Sequence, residues 1–209
     1  MMESSDPGQT MLTPAQGQIL VRWARQQIER HLGIEPSRPV TDQELSQEAL
    51  QCVHGVFVTL HKYNNALRGC IGSLTGAEPL VDGVRRQAIN AAFHDHRFQP
   101  VTTAELDALQ VEISVLTAPQ PLPYENADQL LRLLRPEIDG VILKGPGGAG
   151  ATFLPQVWRQ LPAPERFLGQ LCRKAGLEEG SWRSGRLHIS TYQVQSFAES
   201  HSDGHKNKR

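Results

Sequence analysis

The chain has 209 residues, 21 Lys plus Arg against 22 Asp plus Glu, and 39% hydrophobic residues. That length suits one domain or two subdomains, and the apolar share can bury a core without disulfide or metal staples. A formal charge of -1 argues against a nucleic-acid protein, and no apolar run approaches the roughly 20 residues needed to cross a bilayer.

Residues 1–10 are polar and acidic, read as a disordered lead-in, and do not resemble a signal peptide. Thr13-Pro14 then offers a capping hydroxyl followed by proline at the first helical position. Ile19, Leu20, Trp23, Ala24, Ile28, His31 and Leu32 keep helical spacing until Gly33 ends the run. Residues 35–48 are polar, contain two prolines and read as a loop with one helical turn.

Residues 53–60 are rich in β-branched and aromatic side chains and form the first expected strand. Asn64-Asn65 suits a hairpin tip, because asparagine tolerates positive φ. The return strand then runs through Ala66, Leu67 and Arg68 into Cys70. Leu80, Val84, Ala88 and Ala91 mark a helix over 77–93, and Val111, Ile113 and Val115 alternate with Glu112 and Ser114 as a half-buried strand.

Pro119, Pro121 and Pro123 break the chain and mark a subdomain edge near 117–124. Beyond them come a short helix over 130–134, strands at 141–143 and 152–154, and a helix over 164–174 closed by Gly176. A last strand covers 187–192, and 200–209 is a polar, disordered tail. Helices and strands in mixed order, without a parallel βαβ rhythm, make the fold class α+β.

Gly145-Pro146-Gly147-Gly148-Ala149-Gly150 fits the spacing of a dinucleotide-binding loop, but Phe153-Leu154-Pro155 follows where a helix should start. Ala151 also stands where a P-loop needs lysine, so the stretch reads as a hairpin turn and no nucleotide cofactor is assigned. His94-x-His96 and Cys52-x-His54 each pair two potential ligands, fewer than a transition metal needs, and no metal site is assigned.

Cys52, Cys70 and Cys172 are odd in number and form no C-x-x-C pair. They read as reduced thiols, and the expected location is cytoplasmic. Cys70 stands apart, because Gly69 and Gly72 flank it and admit the close approach of a ligand or of another backbone. In an extended strand Arg68 shares its face, and a guanidinium beside a thiol favours the nucleophilic thiolate. A buried, inert cysteine in a tightly packed strand is the competing reading.

Gly55-Val56-Phe57-Val58-Thr59-Leu60 followed by Leu67-Arg68-Gly69-Cys70-Ile71-Gly72 resembles the AMMECR domain family, known in prokaryotes as AmmeMemoRadiSam system protein A. The likeness continues through Asp95-His96-Arg97-Phe98-Gln99-Pro100, Glu112-Ile113-Ser114-Val115-Leu116, Phe153-Leu154-Pro155-Gln156-Val157-Trp158, Phe167-Leu168 and Lys174-Ala175-Gly176-Leu177, and closes at Tyr192 and Phe197-Ala198-Glu199. It takes in 11–199 as one AMMECR-like region. Two positions depart from the family pattern: His96 replaces a usual proline, and Gly147-Gly148-Ala149-Gly150 lacks a usual arginine.

The resemblance implies two closely packed α+β subdomains with mostly antiparallel sheets and flanking helices, and the Arg-Gly-Cys-Ile-Gly segment lining a surface or cleft between them. It also implies two partners, a Memo-like protein and a radical SAM protein. The chain lacks the C-x-x-x-C-x-x-C cluster motif, so it is not itself the radical SAM component.

The leading expectation is a thiol-dependent enzyme, or accessory enzyme component, acting with those partners on a small molecule. Cys70 would be the nucleophile, and Arg68 would lower its pKa or bind an anionic group. The amides of Gly69, Ile71 and Gly72 would stabilise developing negative charge. His94, His96, Arg97 and Glu112 are candidate supporting groups. The alternative is a non-catalytic module that docks the same partners through this surface, and nucleic-acid binding is a distant third.

Overall fold

The computed structural model describes residues 12–36 and 38–199, so the expected disorder of 1–10 and 200–209 falls outside the described residues. The described residues divide into two compact units, one of residues 12–116 and 195–199, the other of 117–194. Each holds one antiparallel four-stranded sheet with helices, which makes the fold α+β as the sequence implies.

The first unit begins with α1 (Pro14–His31), where Thr13 and Gln16 close the capping box that the Thr13-Pro14 pair announces. Short helices α2 (Asp42–Leu45) and α3 (Glu48–Gln51) stand where one turn was expected, the first capped by Thr41 and Glu44. Then come β1 (Gly55–Lys62), β2 (Leu67–Ser73), α4 (Leu80–Phe93), a 3-10 segment over Thr103–Ala108 and β3 (Leu109–Leu116). The second unit adds β4 (Gln120–Pro121), α5 (Ala127–Leu133), β5 (Gly140–Lys144), β6 (Gly150–Phe153), α6 (Pro164–Lys174) and β7 (His188–Tyr192). The chain closes on β8 (Val194–Ala198), a strand of the first sheet.

In the first sheet the strand order is β2-β1-β3-β8, which leaves β2 at an edge. Val56, Val58 and Leu60 of β1 and Val111, Ile113 and Val115 of β3 point to one face. Leu20, Ala24 and Ile28 of α1 and Val84, Ala88 and Ala91 of α4 pack onto that face and form the core. Each fully buried Val, Leu or Ile there contributes roughly 1.5–3 kcal/mol. With period-2 alternation, Phe57, Thr59, His61, Gln110, Glu112 and Ser114 take the face turned away from these helices.

The second sheet runs β4-β7-β5-β6. Its core centres on Trp158, whose ring stacks on Phe167 at 3.7 Å and whose indole N–H donates to the Asp139 carbonyl at 2.7 Å. The glycine-rich stretch joins β5 to β6 as a hairpin turn, with Gly147 at φ 65° and Gly148 at φ 80°. Among the described residues, no helix is long and apolar enough to cross a membrane.

Candidate functional site

The turn between β1 and β2 uses three residues, Tyr63 to Asn65, and Asn65 takes φ 59°. The register then shifts at Leu60/His61, so Arg68 is an extra, bulged residue of β2, and Leu67 lies opposite His61. From Gly69 onward the pairing is regular, and Cys70 sits directly across from Thr59, which in turn sits across from Glu112 of β3. Cys70, Thr59 and Glu112 therefore form a row across three strands on the face away from the helices.

The Thr59 hydroxyl donates a hydrogen bond to Cys70 Sγ at 3.2 Å. The backbone of Cys70 points outward from the sheet edge and is held by the loop after α4. Asp95 accepts from the Cys70 N–H at 2.9 Å, and Arg97 Nη2 donates to the Cys70 carbonyl at 3.2 Å. Arg97 also grips Asp95 through its own N–H, its Nε and its Nη2, the last at 2.6 Å. The two residues stand where a neighbouring strand would, and they satisfy both edge groups of the site cysteine. Asp95 keeps 2% of its side chain exposed, and the Arg97 guanidinium holds its carboxyl well below the usual carboxylate range.

Arg68 corrects an expectation. It does not serve the Cys70 thiol, because the bulge re-aims its side chain toward the 3-10 segment before β3. There its Nε and Nη2 donate to Glu105 at 2.9 and 3.1 Å, and its guanidinium lies 5.9 Å from the Phe98 ring centroid. The pair holds the Glu105 carboxyl down to about 2. The cation acting on Cys70 is Arg97. Burial nevertheless pushes the Cys70 thiol above its ordinary value, against the opposing pull of the Thr59 hydroxyl and Arg97. The resting sulfur is a thiol, not the thiolate that the sequence suggested.

The glycines beside Cys70 admit backbone and ring, not a ligand. A Cβ on Gly69 would lie 2.1 Å from the Ala91 carbonyl oxygen of α4, and one on Gly72 would lie 2.2 Å from the Phe57 ring. The expected convergence of amides is also corrected. With the Cys70 groups turned outward, those of Gly69 and Ile71 face β1 in the ladder, while Gly72 faces the edge. Ile71 itself packs against the core. His94 and His96 are exposed on the loop after α4, and His94 Nδ1 lies 3.3 Å from Asn90 Oδ1. Glu112 joins the row, where its Oε2 lies 3.4 Å from His61 Nε2.

Three residues at the centre of this arrangement escaped the sequence reading: Asp95, Thr59 and His61. Asp95 lay inside a stretch read for its histidines. Among the described residues, no three His, Cys, Asp or Glu side chains converge in a geometry that would hold a metal ion.

The AMMECR1 family model matches residues 21–197. A protein of Thermofilum pendens is 36% identical over 207 residues, covering 92% of this chain and 94% of its own. One from Methanothermobacter thermautotrophicus is 39% identical over 194 residues, covering 92% and 97%. The crystal structure of uncharacterized protein PH0010 from Pyrococcus horikoshii is similar at 36% identity and a TM-score of 0.77, covering 90% of this chain and 93% of that one.

Proposed function

The chain belongs to the AMMECR1 family, and from that premise we propose that it is a thiol-dependent enzyme or accessory enzyme component. It acts in the cytoplasm on a small molecule, alongside Memo-like and radical SAM partner proteins of the AmmeMemoRadiSam kind. The observation that carries this reading is the setting of Cys70: a half-buried thiol whose sulfur accepts from Thr59 and whose backbone is clamped by Asp95 and Arg97. An inert packing cysteine needs no such fixing, whereas a nucleophile must be held to within a fraction of an ångström.

The chemistry follows from the protonation state. A thiol held protonated is a weak nucleophile, and charge develops on sulfur only as it attacks. The Thr59 hydroxyl bond strengthens as that charge grows, so it stabilises the transition state more than the resting state. Arg97, donating to the Cys70 carbonyl, adds positive potential at the same place. Arg68 contributes by fixing the bulged start of β2 through Glu105. His94 and His96, whose exposure on the adjoining loop supports this reading, meet the ligand or a partner protein.

The test uses the chain mixed with a Memo-like and a radical SAM protein. Cys70→Ser is expected to abolish the small-molecule conversion that the wild type supports, with the melting temperature lowered by no more than about 4 °C, roughly 1 kcal/mol at this size. Full conversion by the variant, or a far larger drop in melting temperature, overturns the reading. Tyr63 and Leu67, which are 62% and 39% exposed, favour a second reading in which this hairpin docks the partners without chemistry. In that case Leu67→Glu loses partner binding while Cys70→Ser retains all function.

A further inference from the structure

The arginines near Cys70 suggest an anionic ligand, but their pairing points the other way. We infer that the substrate is a cationic small molecule, whose amine or guanidinium is held by Glu112 while its reacting atom meets Cys70; this rests on the thiol-dependent reading above. Both guanidinia are already neutralised, Arg97 by Asp95 at 2.6 Å and Arg68 by Glu105 at 2.9 Å. Glu112 has no such partner. Its carboxylate accepts no hydrogen bond and pairs with no Lys or Arg among the described residues, and the basic group beside it is His61 Nε2 at 3.4 Å. The Glu112 side chain is 32% exposed, so a ligand can reach it. A carboxylate drawn partly out of water without a cation is an unfavourable arrangement, which a positively charged ligand relieves.

Cys70, Thr59 and Glu112 occupy neighbouring strands in one row. Strands lie about 4.7–4.9 Å apart, so the thiol and carboxylate residues stand roughly 9–10 Å apart at Cα, the span of a short ligand charged at one end. Phe57, two residues before Thr59 and on its face, lays its ring over Gly72, the residue that follows Cys70 on the same face of β2. The ring walls the sulfur with apolar surface on that side, and aromatic surface near a carboxylate favours organic cations. Burial is the main cause that raises the Cys70 thiol, and the charges of Asp95 and Glu112 raise it further, so the field of Glu112 reaches the sulfur. A cation approaching Cys70 meets that field as attraction, and an anion meets it as repulsion.

The test is the rate at which three methanethiosulfonates modify Cys70 in the folded protein, with the modified residue located by mass spectrometry. One reagent carries an ethyltrimethylammonium group, one an ethylsulfonate group, and the third a neutral methyl group. The cation-to-anion rate ratio is divided by the ratio for 2-mercaptoethanol, a small thiol with no other charge. A unit negative charge roughly 9–10 Å away favours a cation about twofold and disfavours an anion about twofold even in bulk water, so the wild-type ratio should exceed the reference about fourfold or more at low salt. Glu112→Gln should bring the ratio close to the reference, while the neutral reagent still modifies Cys70. Potassium chloride at about 1 M, where the Debye length is about 3 Å, should do the same to the wild type. Glu165→Gln, which removes an exposed acid of the second unit, should leave the ratio unchanged. A wild-type ratio equal to the reference, as an imidazolium at His61 cancelling Glu112 would give, overturns the inference while leaving Cys70 a reactive thiol. A ratio unchanged in folded Glu112→Gln, or in high salt, does the same. No modification by any of the three reagents overturns both the inference and the proposed function. Urea titration establishes whether Glu112→Gln is folded, and the salt comparison decides the matter on the wild type if it is not.

Discussion

Asp95→Ala should be one of the most costly single truncations on the rim of the sheet. The substitution removes the acceptor of the Cys70 N–H and of three Arg97 donors. The Arg97 guanidinium is 47% exposed and regains water, so its share of the loss is small. The Cys70 amide is part-buried, and leaving such a donor unsatisfied costs about 1–3 kcal/mol. Adding the lost anchoring of the loop after α4, the total comes to about 3 kcal/mol, or roughly 6–12 °C in melting temperature for a chain of this size. Asp95→Asn retains a carbonyl oxygen for the Cys70 N–H and should lose about half as much. Guanidinium titration of the three proteins, followed by tryptophan fluorescence and by far-ultraviolet dichroism to separate the two units, measures both values. An Asp95→Ala loss below about 1 kcal/mol would mean that the clamp on Cys70 is not a fixing element, and the case for an organised thiol would weaken with it.

Further outcomes follow from the same geometry. Gly69→Ala should cost about 3 kcal/mol or more, because its Cβ meets a helix carbonyl that cannot swing away; a Cβ on Gly72 meets the Phe57 ring at 2.2 Å and the Val56 carbonyl oxygen at 2.5 Å, so denaturation of Gly72→Ala should show a loss of similar size. The Asp95 and Glu105 carboxyls are held below their ordinary values, so their stabilisation is complete above about pH 5 and is lost as the pH falls, for Glu105 between about 4.3 and about 2. Asp95→Asn should therefore flatten the acid limb of the stability profile. Burial raises the Cys70 and Cys172 thiols, so that stabilisation is present below about pH 8.5 and declines as the pH rises further, when the unfolded chain ionises first. Cys172, fully buried, should resist alkylation in the folded protein while Cys52 reacts.

Much of the fold is legible in the sequence where local chemistry decides it. Thr13 with Pro14 starts α1, and Gly176 at φ 76° follows α6 where the periodic residues end. β8 is not legible, because Val194–Ala198 is short and its place is set by pairing with β3, some eighty residues earlier in the chain. β4 hides behind its proline, which a sheet tolerates at an edge strand.

At the site, a two-residue turn at Asn64-Asn65 would have placed Thr59 across from Cys70. The three-residue turn and the bulge at Leu60/His61 reach the same pairing by another route. That bulge is also why Arg68 could not be placed from alternation alone. Asp95 serves through a backbone amide 25 residues away in sequence, a relation that no spacing rule exposes. The burial that keeps Cys70 protonated comes from tertiary packing, to which local sequence is blind.

The central claim, that the fold makes Cys70 a working thiol, is tested most directly by one comparison. Cys70 is alkylated at pH 7 in the folded protein and again in the same protein unfolded in guanidinium, where it behaves as an ordinary thiol of pKa about 8.5. Modification is expected to be slower in the folded state, where burial holds the thiol above its ordinary value, but to reach completion there because the side chain is only half-buried. Full protection of Cys70 in the folded state would make it a packing residue.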